Sequence, residues 1–298
     1  MVKQILQVIA FFLPPPINIW VHRIAGAKIG RHVSIHPGVL ILAQKVEIGS
    51  GAKIKLGTMI YVRTFKFGEK SLIGFFTLVR GDSDLIIGDR CTIGPKNMIR
   101  CDREVIFGNY SGVGAGSYLY THGCFLPVTE GYRATFGPIH IKDKVWISMR
   151  ATIGPGVTVE EGSLVMPGTV LVESVASKRL VAGNPAKLSN LPVFLVPRGP
   201  DFIEKLAHEM LQEFCSWSNE YKDTNWQINK GALQLDYKSR DFLVSVNNEA
   251  DIVLFTESGK NSNDMYFNLI DLRTDKNRHP IKLELEAFLR LHYGLIFL

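Results

Sequence analysis

The sequence predicts a mainly β protein: a column of stacked, three-edged parallel β-coils, followed by a small α+β domain. Three observations carry the prediction. An aliphatic residue, often followed by glycine, recurs every six positions from about Ile29 to Leu171. A small or β-branched residue usually stands four places after it, as at Ala52, Ser71, Cys91, Ser111, Ala151 and Ser163. After Pro192 the beat is gone, and the chain turns to helical spacing and then to alternating apolar and polar residues.

In chain order, residues 1–28 read as a helical cap. The run ILQVIAFFL is a short apolar helix, three prolines stop it, and INIWVHRI supplies a second helical turn. A column of coils has an open apolar end, which such a cap would cover. The apolar run is too short to span a bilayer and has no small-residue cleavage site before its prolines, so a cytoplasmic protein is expected. Residues 5–20 could also rest peripherally on the inner face of a membrane; capping is the preferred reading.

The repeat occupies residues 29–190. It runs Ile29-Gly30, Ile35, Ile48-Gly49, Ile54, Ile73-Gly74, Val79, Ile87-Gly88, Ile93-Gly94, Ile99, Phe107-Gly108, Val113-Gly114 and Leu119. It resumes at Ile141, Ile147, Ile153-Gly154, Val159, Val165 and Leu171. A helix would scatter a six-residue period over different faces, and each interior glycine would cost it roughly 1 kcal/mol. A short flat strand, a turn accepting positive φ at its glycine, and another strand fit the pattern. Three such edges close a triangular coil, with coils stacked about 4.8 Å apart and the aliphatic residues pointing inward.

Three segments carry a more specific signal: GAKIG at 26–30, VWISMRATIGPGVTVEEGSLVMPGTVL at 145–171 and VAGNPAK at 181–187. With the six-residue beat they resemble the hexapeptide-repeat acyltransferases over about residues 24–190, and among these the sugar and polysaccharide O-acetyltransferases. The resemblance implies a left-handed parallel β-helix, an exception to the usual right-handed crossover. It implies transfer of acetyl from acetyl-CoA to a hydroxyl of a carbohydrate, such as a surface polysaccharide, a lipopolysaccharide or its precursor. It also implies a homotrimer with the substrates held between neighbouring columns, and flat, partly apolar faces suit that association.

The longest break in the beat lies inside YLYTHGCFLPVTEGYRATFGPIHIKDKVWI. The resemblance makes His122 the catalytic base on a coil edge and residues 123–138 an extruded loop that helps close a neighbour's site. A neutral imidazole, with an ordinary pKa near 6.5, suits removal of a hydroxyl proton during attack on a thioester. Register arithmetic offers a partner: with Leu119 one full coil beyond Ile99 and two extra residues absorbed before Phe107, Asp102 lies beneath His122. A carboxylate there could orient the imidazole or accept a sugar hydroxyl, and the resemblance favours the second role. Glu130, in the loop, is a further candidate; Asn97 and Cys101 occupy small-corner positions and read as core or ladder residues.

For the donor, the resemblance places the pantetheine arm against backbone near Met149, Pro167 and Gly168, with Lys187 toward the phosphates. Two departures stand out: Ser148 follows Trp146-Ile147 where glycine is common, and Val172-Glu173 replaces a Thr-Lys pair. Glu173 would repel a phosphate, which either passes that role to Lys178 or Arg179 or weakens CoA binding. Trp146 reads as packing below the loop.

Residues 191–298 read as a separate α+β domain. PDFIEKLAHEMLQEFCSWSNEY is an amphipathic helix, WQINKGALQLDY, DFLVSVN, DIVLFTE and MYFNLIDL are four strands, and HPIKLELEAFLRLHYGLIF closes with a helix. Its role is open: acceptor binding, partner binding or packing against the trimer. The net charge of +6 is spread over 34 Lys and Arg without dense basic runs, which argues against nucleic acid. Four cysteines, Cys91, Cys101, Cys124 and Cys215, lack CxxC spacing and read as structural free thiols. A zinc-dependent carbonic anhydrase on the same column would need three clustered histidines, whereas His32 and His36 lie in the first coil, so no metal is expected. Two rivals remain, an N-acyltransferase acting on an amino or nucleotide sugar and a non-enzymatic scaffold.

Overall fold

The computed structural model describes residues 2–123, 128–131, 134–190 and 199–222, and beyond these 227–229, 232–236, 241–246, 251–256, 265–269, 273–274 and 280–293. It divides into two compact units, Met1–Leu195 and Val196–Leu298.

The first unit is a parallel β-solenoid of about eight turns. Three faces follow from the strand register. Face 1 stacks Lys28–Ile29, 45–48, 64–67, Asp84–Ile87, Val105–Phe107, Ile139–Ile141 and Thr158–Val159. Face 2 runs from Ser34–Ile35 through Lys53–Ile54, Leu72–Ile73, Thr92–Ile93, Gly112–Val113, Trp146–Ile147 and Leu164–Val165 to Leu180–Ala182. Face 3 holds 40–43, 59–62, Leu78–Arg80, Met98–Arg100, Tyr118–Tyr120, Thr152–Ile153 and Val170–Leu171. The aliphatic residues of the repeat meet inside: Ile35, Ile54, Ile93, Val113, Ile147 and Val165 are wholly buried. Each coil thus covers the apolar edge of the one below it, which is why the fold needs a stack.

The column's glycines serve two roles, the expected positive-φ turn at Gly38, Gly51, Gly57, Gly116, Gly156, Gly162 and Gly168 and a second one directly after the aliphatic residues. Gly30, Gly49, Gly74, Gly94 and Gly114, each following an aliphatic residue, do not take positive φ. Instead, a Cβ at Gly49, Gly74 or Gly114 would lie 2.5 Å from a backbone nitrogen of the next coil. They are there for close approach. Positive φ falls two residues later, on glycine at 51, 57 and 168 but on Lys70, Phe76, Arg90, Lys96 and Arg150 elsewhere. The small residues stack under the corners, where Thr58 Oγ1 donates to Gly74 O at 3.0 Å and Ser71 Oγ to Gly88 O at 2.8 Å.

Two of the three corners keep the six-residue step, and the third does not. At the corner from face 3 to face 1, the step between stacked core residues is seven from Ile60 to Phe67, eight from Val79 to Ile87 and from Ile99 to Phe107, and twenty-two from Leu119 to Ile141. All the slack in the column leaves at one edge. That edge carries His122.

Helices α1 (Val2–Phe11) and α2 (Ile17–Ile24) cover the first coil. Polar side chains do the covering: Gln7 Nε2 donates to Ala43 O at 3.0 Å and Asn18 Nδ2 to Ile35 O at 2.8 Å, both side chains buried. No helix among the described residues is long and apolar enough to cross a membrane.

In the second unit, α3 (Pro200–Lys222) and α4 (Pro280–Tyr293) pack through Phe214 and Phe288, whose ring centroids are 5.3 Å apart. Among the described residues the sheet is an antiparallel meander of six strands rather than four. The segment expected as one strand, WQINKGALQLDY, splits into Gln227–Asn229 and Ala232–Asp236, which pair antiparallel, and Arg273–Thr274 adds an edge. Cys124 lies outside the described residues; Cys91, Cys101 and Cys215 are buried free thiols.

Candidate active site

His122 leaves face 3 just past Tyr118–Tyr120, at the elastic corner. The extruded segment starts as a two-residue hairpin, with His122 opposite Phe136 and Gly123 opposite Thr135. Thr121, fully buried, ties the exit point to the coil below: its Oγ1 donates to Arg100 O at 2.8 Å and accepts from Arg103 N at 3.0 Å. Gly137 N then returns to Thr121 O at 3.0 Å, closing the base of the loop.

Directly beneath, Asp102 reaches up to the imidazole. Register pairs Arg100 with Tyr120, and Asp102 Oδ2 stands 2.8 Å from His122 Nδ1. The approach is close but off the hydrogen-bond line, so Nδ1 has no aligned partner; such contacts commonly straighten only when substrate binds. Arg100 shares the carboxylate, with Nη2 3.4 Å from Oδ1 and Nε 3.4 Å from Oδ2. The imidazole and the carboxylate are each about a quarter exposed, which leaves them within reach of a ligand. Asp102 itself depends on Gly81 below: a Cβ there would lie 2.2 Å from the carbonyl carbon of Cys101.

Aromatic rings frame the histidine. Phe136 stacks against it with centroids 6.1 Å apart, and Tyr120 lies 6.2 Å away on the other strand. Arg103 holds Phe136 in turn, its guanidinium 4.9 Å from the ring centre and its Nη1 bonded to Asp102 O at 2.8 Å. Neither Phe136 nor Arg103 was singled out by the sequence; the RCDR run around Asp102 was the available signal. A second pair, His140 Nε2 to Glu104 Oε1 at 3.0 Å, fixes the strand on which the loop returns.

The other candidates separate. Glu130 sits exposed in a 3-10 turn, Val128–Glu130, without a hydrogen bond to His122 or Asp102 among the described residues. Met149, Pro167 and Gly168 occupy the corner from face 2 to face 3, where Gly168 N donates to Met149 O at 3.0 Å. Lys187 follows at the closing end of that corner, opposite Ala182. Lys178 and Arg179 do not join them. Lys178 stacks on Glu161 at the corner from face 1 to face 2, and Arg179 opens the face-2 strand beside Ser163, so neither stands beside Gly168 within one chain. Glu173 lies at the other end of face 3 from Gly168. The exposed cations that do stand at the Gly168 corner are Lys96 and Arg150. Trp146 is half-exposed on face 2, lying over Gly112 with Cζ3 2.9 Å from where a Cβ would be, rather than at the corner where the loop leaves.

Asn97 and Cys101 are buried. Asn97 is a ladder residue, with Oδ1 accepting from Ser117 N at 2.6 Å, and burial pushes the Cys101 thiol far above its ordinary pKa, so no thiolate forms there. Among the described residues no group of three His, Cys, Asp or Glu could hold a metal ion.

No family model matches the chain. Among curated proteins it is similar to a "Putative acetyltransferase" of Staphylococcus aureus, 38% identical over 74 residues, covering 24% of this chain and 37% of that protein. A "Probable macrolide acetyltransferase" of Lysinibacillus sphaericus is 33% identical over 92 residues, 31% of this chain and 47% of that one. The chain thus spans between a third and a half of the length of these two relatives. Among solved structures it is similar to the polysialic acid O-acetyltransferase OatWY (18% identity, 58% of this chain and 91% of that one, TM-score 0.44). It is also similar to AntD, an N-acyltransferase from Bacillus cereus solved with a dTDP-amino sugar and coenzyme A (17% identity, 62% and 91%, TM-score 0.41).

Proposed function

We propose that this chain is an acetyltransferase that moves acetyl from acetyl-CoA to a carbohydrate hydroxyl, with His122 as general base. The observation that carries the reading is the His122–Asp102 pair, 2.8 Å apart, at the corner where the coils lengthen. With Nδ1 turned to the carboxylate, Nε2 keeps the lone pair. It takes the acceptor's proton as the hydroxyl oxygen attacks the thioester carbonyl. The C–S bond then breaks, and the imidazolium returns the proton to the departing thiolate. Both substrates bind together, so the chain itself need carry no acyl group. The short approach to Nδ1 supports an orienting role for Asp102 over direct contact with the acceptor.

The face 2 to face 3 corner suits the donor. Lys96, Arg150 and Lys187 offer cations for its phosphates, and Leu56, Phe75 and Phe76 are exposed along the same edge. That corner and the His122 corner bound face 3 on opposite sides, so one chain does not bring them together. A second copy laying its donor corner against the first copy's His122 corner would complete the site, and this supports a homotrimer. The exposed Met59, Tyr61, Leu78 and Tyr118 on face 3 give such a contact apolar surface.

The test is turnover of acetyl-CoA by purified protein with a panel of neutral sugars, acidic sugars and amino sugars. Release of CoA with hydroxyl acceptors is expected. Transfer to amino sugars alone would make the chain an N-acyltransferase, and absence of both turnover and calorimetric acetyl-CoA binding would leave a scaffold.

A further inference from the structure

Helices α1 and α2 bury Ala10 and Val21 but leave most of their large apolar side chains facing outward. Their buried faces carry Gln7, Asn18 and His22, while Val2, Ile5, Val8, Ile9 and Phe12 on α1 and its end, and Ile17, Trp20 and Ile24 on α2, are 43–75% exposed. The exposed residues recur at three- and four-residue spacing, so each helix turns one continuous apolar stripe outward. Capping accounts for the inward face, since Gln7 and Asn18 bond carbonyls of the first coil. It leaves the outward face unexplained, and eight large apolar side chains at one end of a column are far more than scattered exposure supplies.

The charge around this end is mostly positive, with Glu47 the first carboxylate of the chain. Residues 1–46 contain Lys3, Arg23, Lys28, Arg31 and Lys45 and no Asp or Glu. Lys28 and Lys45 share Glu47, at 3.8 and 3.2 Å, but Lys3 and Arg23 are held by backbone carbonyls, of Gln44 and of Ile29 and Gly30, with no carboxylate partner among the described residues. A tryptophan beside an apolar stripe and rimmed by cations fits the boundary between lipid headgroups and acyl chains.

We propose that this end of the column docks on a lipid bilayer bearing anionic headgroups, with the outward faces of α1 and α2 lying in the interface. Docked upright, the protein holds the His122 corner four coils above the helices, through the ladder Leu42, Tyr61, Arg80, Arg100 and Tyr120, about 19 Å at the strand spacing. A cavity of about 370 Å³ lined by Lys3, Gln44, Tyr61, Arg63 and Asp82 opens on that same corner between the helices and the histidine. An acceptor anchored in the membrane would meet the reactive edge from that side.

The test is sedimentation of the full chain with phosphatidylcholine vesicles, pure or containing roughly one-third phosphatidylglycerol. Binding to the anionic vesicles is expected, weakening as salt is raised. The double variant Phe12→Ser/Trp20→Ser, whose side chains are already exposed, should bind at least about tenfold more weakly with unchanged circular dichroism. No sedimentation with either vesicle, or equal binding by the variant, overturns the proposal. So does a drop in the variant's solution mass without any vesicle binding, which would assign the face to a second copy of the chain. None of these readouts depends on the acetyltransferase reading.

Discussion

At the scale of single residues, the two roles open to Asp102 make different kinetic predictions. His122→Ala should lower kcat by about 100-fold or more, as loss of a general base does, while acetyl-CoA binding by calorimetry is kept. Asp102→Asn should lower kcat with little change in either KM, because it acts through the imidazole; a rise confined to the acceptor KM would mean that it touches the acceptor. Phe136→Ala should lower kcat by a smaller factor than His122→Ala, since the ring only holds the imidazole, and an unchanged kcat would remove Phe136 from the site. The His122–Asp102 pair was legible in the sequence because both residues are counted from aliphatic positions one coil apart, Ile99 and Leu119. Phe136 and Arg103 were not, because the hairpin that returns Phe136 to His122 follows no repeat. Lys178 is close to the exit motif in the chain but does not stand at the corner of Gly168. Its position three residues after Val175 is that of Lys144 after Ile141 and Arg90 after Ile87, a different corner.

At the scale of elements, the six-residue beat foretold the strands and the positive-φ turn glycines, such as Gly51, Gly57 and Gly168, but not the task of the glycines directly after the aliphatic residues. A glycine after each aliphatic residue looked like a turn former, whereas contact between stacked coils demands it, and the sequence of one coil does not show how near the next one passes. Gly81→Ala tests this beneath the site: the added methyl would press on the Cys101 carbonyl, 2.2 Å away. Loss of stability and of kcat together is expected, and a variant with wild-type melting and activity would refute the close-contact account. Helix α2 offers a second test through His22, buried with both ring nitrogens unpaired, its pKa lowered by desolvation to about 4. The unfolded chain protonates this histidine near 6.5, so between about pH 6.5 and 4 it binds protons that the folded chain refuses. Stability should therefore fall as pH drops through that window, by about 3 kcal/mol at most from this group. His22→Phe should flatten that part of the melting-temperature profile, and an unchanged slope would show that His22 is neutral for other reasons or is not buried in solution.

At the scale of the whole molecule, the question is what the second unit contributes. The residues assigned to donor and base all lie within Met1–Leu195. The column also closes itself: Lys187–Leu188 folds back on Leu180–Ala182, and Ser189 N donates to Leu180 O at 2.8 Å, so a cut must fall beyond these residues to leave the last coil covered. The second unit has its own core, with Phe214, Phe288 and Leu289 buried. A chain ending at Leu195 should therefore fold, keep the oligomeric mass of the full chain by light scattering, and bind acetyl-CoA with similar affinity, while the full chain should show two calorimetric transitions. Loss of mass or of donor binding on truncation would make the second unit part of the assembly. If the short chain instead acetylated a small sugar but not a long polysaccharide, then acceptor capture would be the role of the six-stranded sheet and its two helices.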